Sequence, residues 1–380
     1  MTFLKFILLF FSYILFFNCI SYANFSTQEY IKVGILSNQK QITIASDDKY
    51  CFIYNNQKYS LSEGKIKIEI KNNKAIIFNK SYSLPIEFIS TKCFLVNNKI
   101  YRGNIIISSS SKGNNIINKL KIEDYLKGVL PKEVNSSWNQ ETLKAQAVIS
   151  RTYALKNIGK HSKENFDVCS SVCCQVYGGA SCEAISCNKA IYDTCAQVLF
   201  YKDDIAQTFF HASCGGHTEN PKYVWQCKID TPPYLKGRKD PYCKKSPHQR
   251  WIVTLEENFI REKLIKAGHK VGKIKKISTS GKTPGEATEK IIIKHSKGKL
   301  KINSYTFRLA IDSFKIKSTA IFNIKNKNKK FIFEGKGWGH KVGLCQWGAK
   351  VMGEKKISYK KILEFYYPKT NIKKISYVNK

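Results

Sequence analysis

Ile122-Glu123-Asp124-Tyr125-Leu126-Lys127-Gly128-Val129-Leu130-Pro131 is where this chain of 380 residues changes its period. Apolar side chains recur there at the spacing of one helical face, and Pro131 is expected to stop the helix. Upstream the pattern differs. Tyr30-Ile31-Lys32-Val33-Gly34-Ile35, Lys65-Ile66-Lys67-Ile68-Glu69-Ile70 and Ile105-Ile106-Ile107 read as short strands, the second with strict alternation. Asn-Gln, Asn-Asn and Gly-Asn pairs punctuate them as turns. Residues 24–118 are therefore expected to be a β-rich N-terminal region, and residues 119–375 a mixed helical and β-rich domain. The fold class is α+β.

Downstream, a second helix is predicted from Glu141 to about Leu155. Ser137 or Asn139 can cap it, and Gln140 stands three after Ser137 as in a capping box. Lys144, Ala147 and Arg151 share one face of that helix. Residues 161–195 are rich in Cys, Ser and Gly and read as a stapled loop. Strands are expected at Val198–Tyr201 and Gln207–Phe210, and helices around Glu257–Ala267 and Ser358–Tyr366. Glycine-rich loops stand at Cys214-Gly215-Gly216 and from Gly335 to Gly343.

The composition excludes a disordered chain, since 43% of residues are hydrophobic and 13% aromatic. The formal net charge of +36 has two readings. Abundant Lys, Asn and Ile suit an AT-rich genome; a basic surface also concentrates an anionic partner such as nucleic acid, wall glycan or a membrane surface. The N-terminus chooses among these. Residues 1–23 carry Lys5, an apolar run from Phe6 to Phe17, and small Ser21 and Ala23, the pattern of a secretory signal peptide. The run is short for a membrane anchor, and a lipid-attachment reading at Cys19 is weakened by Phe17 and Asn18. Export places the protein in the periplasm or cell wall, outside the cytoplasmic membrane, and removes nucleic acid as a partner. Nine of the 13 cysteines lie between Cys169 and Cys243, which in an exported chain predicts disulfides.

Three clusters can carry chemistry. Glu133 follows Pro131 at a junction between two helices, where partial burial would raise its pKa and let it hold a proton near neutrality. A capping or surface role is the plain alternative. His211-Ala212-Ser213-Cys214-Gly215-Gly216-His217-Thr218-Glu219-Asn220 combines paired glycines with hydroxyl-reading side chains. It is otherwise a decorated turn, or a Cys214 nucleophile served by His211 or His217. Gly335-Lys336-Gly337-Trp338-Gly339-His340-Lys341-Val342-Gly343-Leu344-Cys345-Gln346-Trp347-Gly348-Ala349 interleaves glycines with Trp, His and Gln. No Gly-Lys-Ser/Thr follows, so it is not a phosphate loop. It suits sugar stacking, or a core loop giving Trp rings small neighbours. His161, Cys169, Cys173 and Cys174 are chemically suited to zinc, in competition with disulfides.

Four ordered segments resemble the stage II sporulation protein D family, which includes amidase-enhancer proteins. They are Glu123-Asp124-Tyr125-Leu126-Lys127-Gly128-Val129-Leu130-Pro131-Lys132-Glu133 and Leu143-Lys144-Ala145-Gln146-Ala147-Val148-Ile149-Ser150-Arg151-Thr152-Tyr153-Ala154. Then follow Ser213 to Asn220 with Val224-Trp225, and Gly337 to Ala349. The resemblance covers about residues 100–370 and makes 119–375 the catalytic domain. It departs at Lys341, where Gly is usual, and at Cys345, where Ser is usual.

The resemblance implies a lytic transglycosylase acting on peptide-stripped peptidoglycan strands, with Glu133 as general acid and base. Lys144, Gln146, Arg151, Ser213, Gly215, Gly216, Thr218, Glu219, Trp338, His340, Gln346 and Trp347 are expected to bind substrate. Lys144 and Arg151 would meet the lactyl carboxylates of stripped glycan. A structural zinc is expected on His161, Cys169 and Cys174, with no cofactor needed for the chemistry. Partners would be glycan strands and a cell-wall amidase, at the cell envelope. Hydrolytic glycosidases generally need two carboxylates. A transglycosylase that uses the sugar's own 6-hydroxyl needs one. The alternatives are a glycan-binding module that stimulates an N-acetylmuramoyl-L-alanine amidase without cutting, and a zinc amidase or peptidase.

Overall fold

The computed structural model describes residues 26–226 and 231–378. The expected signal peptide, residues 1–23, lies outside them. Among the described residues no helix is long and apolar enough to cross a membrane.

The chain is α+β, with a β-rich N-terminal part. A six-stranded sheet includes Gln41–Ser46 and Gly64–Lys71, and a seven-stranded sheet includes Tyr30–Ser37, Asn104–Ser110 and Gly113–Lys121. The alternation read at Lys65–Ile70 is real: Ile66, Ile68 and Ile70 are buried while the lysines and Glu69 between them are exposed. Both sheets contribute to one hydrophobic core with Phe88, Phe94 and Ile105. That core continues into the first helices, through Tyr125, Leu126, Val129, Leu143 and Ala147. The last strand of this N-terminal part, Gly113–Lys121, runs directly into helix α1, Ile122–Glu133, so the sheet sets the direction of the helix that ends on the site.

Among the described residues seven further α-helices follow: α2 Gln140–Lys156, α3 Ile185–Asp193, α4 Pro221–Trp225, α5 Glu257–Lys266, α6 Ser304–Ile311, α7 Gln346–Glu354 and α8 Tyr359–Tyr366. α1 carries Glu123 and Asp124 in its first turn and Lys132 in its last, in keeping with the helix dipole. It does not stop at Pro131 but continues two residues, so Glu133 is its final residue rather than part of a linker. Asn139, not Ser137, caps α2, its side chain accepting from Glu141 N at 2.9 Å. α2 lies between two cores. Leu143 and Ala147 face the sheet core, while Ala145, Val148 and Ile149 join a second core with Leu344, Ala349, Ile362 and Tyr367. A third core unites α5 and α6 with two three-stranded sheets, through Ile260, Phe307, Ile293 and Phe333.

Candidate active site

Where α1 ends, a cleft of about 520 Å³ opens between the first core and the loops of the other two. Glu133 is one of its lining residues and is half-buried. Its Oε1 accepts a hydrogen bond from Val176 N at 2.7 Å, and its backbone carbonyl accepts from Gln346 Nε2 at 3.1 Å. Burial pushes the carboxyl up to about 7, and the Val176 amide, which favours the charged form, only partly offsets this. A carboxyl of that kind exchanges a proton near neutral pH. Among the described residues that line the cleft, Glu133 is the only carboxylate.

The opposite wall comes from the two glycine loops. Phe210–His211 pairs in parallel with Leu344–Cys345, and Ser213 and Trp338 exchange backbone hydrogen bonds of 3.0 and 2.7 Å. The approach requires glycine. Gly337 has φ +82°, and a Cβ there would stand 2.7 Å from Ser213 O; at Gly339, φ +110°, it would meet His211 Cβ at 2.8 Å. Trp338 is thereby presented to the cleft, flanked by the His248 ring at 4.7 Å and by Lys317 Nζ at 5.2 Å from the indole centroid. Phe209, Trp225, Tyr305 and Phe314 extend an aromatic lining.

Two histidines stand in this wall. His340 Nδ1 accepts from Val342 N at 3.0 Å, and burial holds its pKa well below the usual range. His211 Nδ1 lies 3.1 Å from Val342 O, to which it donates, and burial pushes its pKa down to about 4. The neutral His211 ring therefore leaves Nε2 as a bare acceptor, with no hydrogen-bond partner among the described residues. Arg308 of α6 supplies positive charge to the cleft, its Nε and Nη2 donating to the carbonyls of Lys317 and Ser313 at 3.1 and 3.0 Å. Lys160 is a second lining cation.

The expected substrate-binding residues separate into two groups. Trp338, His340 and Gln346 line the cleft with Glu133. The others are not among its lining residues. Arg151 is fully buried and makes a bidentate pair with Glu123, 2.8 Å on each arm. Lys144 pairs with Glu141 and Asp193 at 3.2 and 3.3 Å, and Gln146 is buried against Ser150. Ser213 is buried and zips the loops, while Gly215 packs on the Lys336–Gly337 backbone and Gly216 turns beside it with φ +104°. Thr218 is buried against the Arg238 backbone. Glu219 is buried too, accepting from Asn220 N and Thr283 Oγ1, with Lys341 as its neighbouring countercharge. Lys341 has φ +67°, which explains why glycine suits that position; here its ammonium is buried and donates to Gly285 O at 2.8 Å. Trp347 packs edge-on against Trp138. Lys160, His211, Arg308 and Tyr305 were not singled out as cleft residues from sequence. His211 stood inside a quoted motif, but nothing local to Arg308 or Tyr305 distinguishes them.

The loop after α2 gathers the expected metal ligands. The ligand atoms of His161, Cys169, Cys173 and Cys174 all lie within 4.8 Å of one another, with His161 Nε2 3.4 Å from Cys174 Sγ and 4.0 Å from Cys173 Sγ. One imidazole and three thiols at this separation fit a tetrahedral zinc ion. The expected disulfides are not found among the described residues, where the cysteines are free thiols.

A family model described as Stage II sporulation protein matches residues 110–201, and one described as a domain of unknown function matches residues 222–343. An uncharacterised protein of Brachyspira hyodysenteriae is 33% identical over 366 residues, covering 94% of this chain and 96% of its own length. The amidase enhancer of Bacillus subtilis is 30% identical over 65% of this chain, which spans only 40% of that longer protein. The stage II sporulation protein D of Bacillus subtilis is 28% identical, over 68% of this chain and 76% of its own. The α1–α2 segment that carries Glu133 lies inside the matched family region, and on these grounds the chain belongs to the stage II sporulation protein D family.

Proposed function

We propose that the protein is an exported lytic transglycosylase that cleaves peptide-stripped peptidoglycan strands with Glu133 as both acid and base. One observation carries the reading: a single carboxyl, raised to about 7, in an aromatic cleft with no second carboxylate among its described lining residues. A hydrolase would generally need a second carboxylate to activate water or form a covalent intermediate. With one, Glu133 donates its proton to the glycosidic oxygen as the bond from N-acetylmuramic acid C1 breaks. The sugar's 6-hydroxyl oxygen closes on C1, and the Glu133 carboxylate takes the hydroxyl proton. The products are a 1,6-anhydro end and a free 4-hydroxyl, and Glu133 returns to its starting state.

The rest of the cleft suits this substrate. Trp338 and Trp225 offer faces for sugar rings, and the bare His211 Nε2 accepts from a sugar hydroxyl. Arg308 and Lys160 take the role first assigned to Arg151 and Lys144, meeting the lactyl carboxylates. Zinc held by His161, Cys169, Cys173 and Cys174 would supply a closed structural centre in the loop that also presents Val176 N to Glu133.

The similarity to an amidase enhancer favours a second reading, in which the cleft grips glycan for a separate cell-wall amidase. Mass spectrometry of denuded strands treated with the protein separates the two. The expected result is anhydromuramyl ends from wild type, reduced at least about 10²-fold in Glu133→Gln. Equal cleavage by the variant would remove Glu133 from the chemistry. No cleavage by either, with glycan binding retained, would leave the enhancer reading.

A further inference from the structure

Cys214, Asp240, Cys243 and Cys345 come from three distant segments and meet in the interior. Cys214 sits in the first glycine loop. Asp240 precedes the short 3-10 turn Pro241–Lys245, which contains Cys243. Cys345 caps the N-terminus of α7. Each is at most 1% exposed, and their ligand atoms all lie within 4.8 Å of one another. We propose that these four residues bind a zinc ion that fastens the glycine-loop wall of the cleft.

Distance speaks first. Cys345 Sγ is 3.4 Å from Cys243 Sγ, and Cys214 Sγ is 3.3 Å from Asp240 Oδ2. A disulfide holds its sulfurs at about 2.05 Å. The edge of a tetrahedral zinc–thiolate site, with zinc–sulfur bonds of about 2.3 Å, is roughly 3.8 Å. The cluster is close to the second spacing. Parity agrees, because one disulfide would use two of the three thiols and leave the third beside a buried carboxylate.

Charge speaks next. Asp240 accepts from Tyr242 N, Cys243 N and Tyr366 Oη at 3.0, 3.2 and 2.8 Å, and from the Cys214 thiol. No lysine, arginine or histidine among the described residues pairs with it. A buried carboxylate needs a countercharge, and a divalent cation among thiolates supplies one. The surroundings are those of a metal-bound sulfur. Cys345 Sγ accepts from Cys214 N at 3.3 Å and Gly348 N at 3.4 Å, the latter in the first turn of α7 where negative charge is favoured. Tyr366 orients the carboxylate as an outer-sphere donor. Gly348 lets α7 close on the carboxylate: a Cβ there would stand 2.5 Å from Asp240 Oδ2.

Four protein ligands without an open position make a structural site. Its place explains its use. Cys214 adjoins Ser213, which is zipped to Trp338, and Cys345 adjoins Gln346, which holds the end of α1 at Glu133. The ion would tie these loops together from behind.

Zinc content of the purified full-length protein, measured by elemental mass spectrometry, tests this. Cys345→Ser should lose about one zinc equivalent per chain relative to wild type, while Cys169→Ser/Cys174→Ser should lose only the ion of the outer loop. Unchanged zinc in Cys345→Ser overturns the proposal, as does a disulfide-linked peptide pairing any two of the three cysteines in unreduced wild type. Should Cys345→Ser fail to fold, the outer-loop double variant decides: about one equivalent retained supports the inner site, and none refutes it. None of these readouts depends on glycan cleavage.

Discussion

Glu133 combines partial burial, which sequence could state only as a hypothesis, with the lack of a cationic partner among the described residues. The raised pKa has a thermodynamic consequence. An ordinary glutamate titrates at about 4.3, while Glu133 is pushed up to about 7 by burial. Below both values the folded and unfolded chains are equally protonated at this site. As pH rises between them, the unfolded chain releases its proton first, so folding stability falls. Above about 7 the loss is complete, and it amounts to about 3–4 kcal/mol. Glu133→Gln removes the titration and keeps an acceptor for Val176 N. The variant should match wild type in urea unfolding near pH 4 and exceed it by up to about 3–4 kcal/mol at pH 8. Parallel stability curves across that range would mean that Glu133 is not held in its neutral form. The residue was legible because its motif was; its partner Val176 was not, because the link spans 43 positions and uses only a backbone amide.

At the scale of elements, the sequence pattern located α1, α2, α5 and α8 to within a few residues, since each shows periodic apolar positions and α2 and α8 have a side-chain cap at Asn139 or Ser358. It missed α3, α4, α6 and α7. The cysteine density around α3 suggested a loop, and the glycines of α7 masked a helix whose cap is a thiol. α1 also hides a packing requirement. Gly128 faces the loop that follows the outer cysteines: a Cβ there would stand 2.4 Å from the Tyr177 ring and 2.9 Å from Gly179 O. Tyr177 cannot retreat easily, because its hydroxyl donates to Asn118 at 2.7 Å and its ring packs on Tyr125. Gly→Ala inside a helix normally gains about 1 kcal/mol. Here overpacking at about 1–3 kcal/mol should win. Gly128→Ala is expected to lower stability in urea unfolding and to weaken glycan cleavage, since the displaced loop carries Val176. A stabilised variant would show that the loop yields freely.

Across the whole molecule, the fixed frame behind the cleft depends on one buried ion pair. Arg151 of α2 holds Glu123 of α1 and also donates to the carbonyls of Gln197 and Ile191, while Tyr377 near the end of the chain donates to Glu123 at 2.6 Å. Two helices, the end of α3, the strand Gln197–Tyr201 and the strand Ser376–Val378 therefore converge on a single ion pair. Burial pushes the Glu123 carboxyl up, but Arg151 and Tyr377 together hold it below the usual range. Removing the cation alone strands that carboxylate in the interior. Arg151→Met should cost about 3–5 kcal/mol, and Arg151→Met/Glu123→Gln less, because the second change removes the uncompensated charge. The motif made Arg151 look like a substrate contact, and the two roles differ in kinetics. A scaffold residue lowers the folded fraction, so activity per folded molecule and KM for glycan stay near wild type in the double variant. A contact residue would raise KM in both variants whatever their stability, and that result would return Arg151 to the cleft.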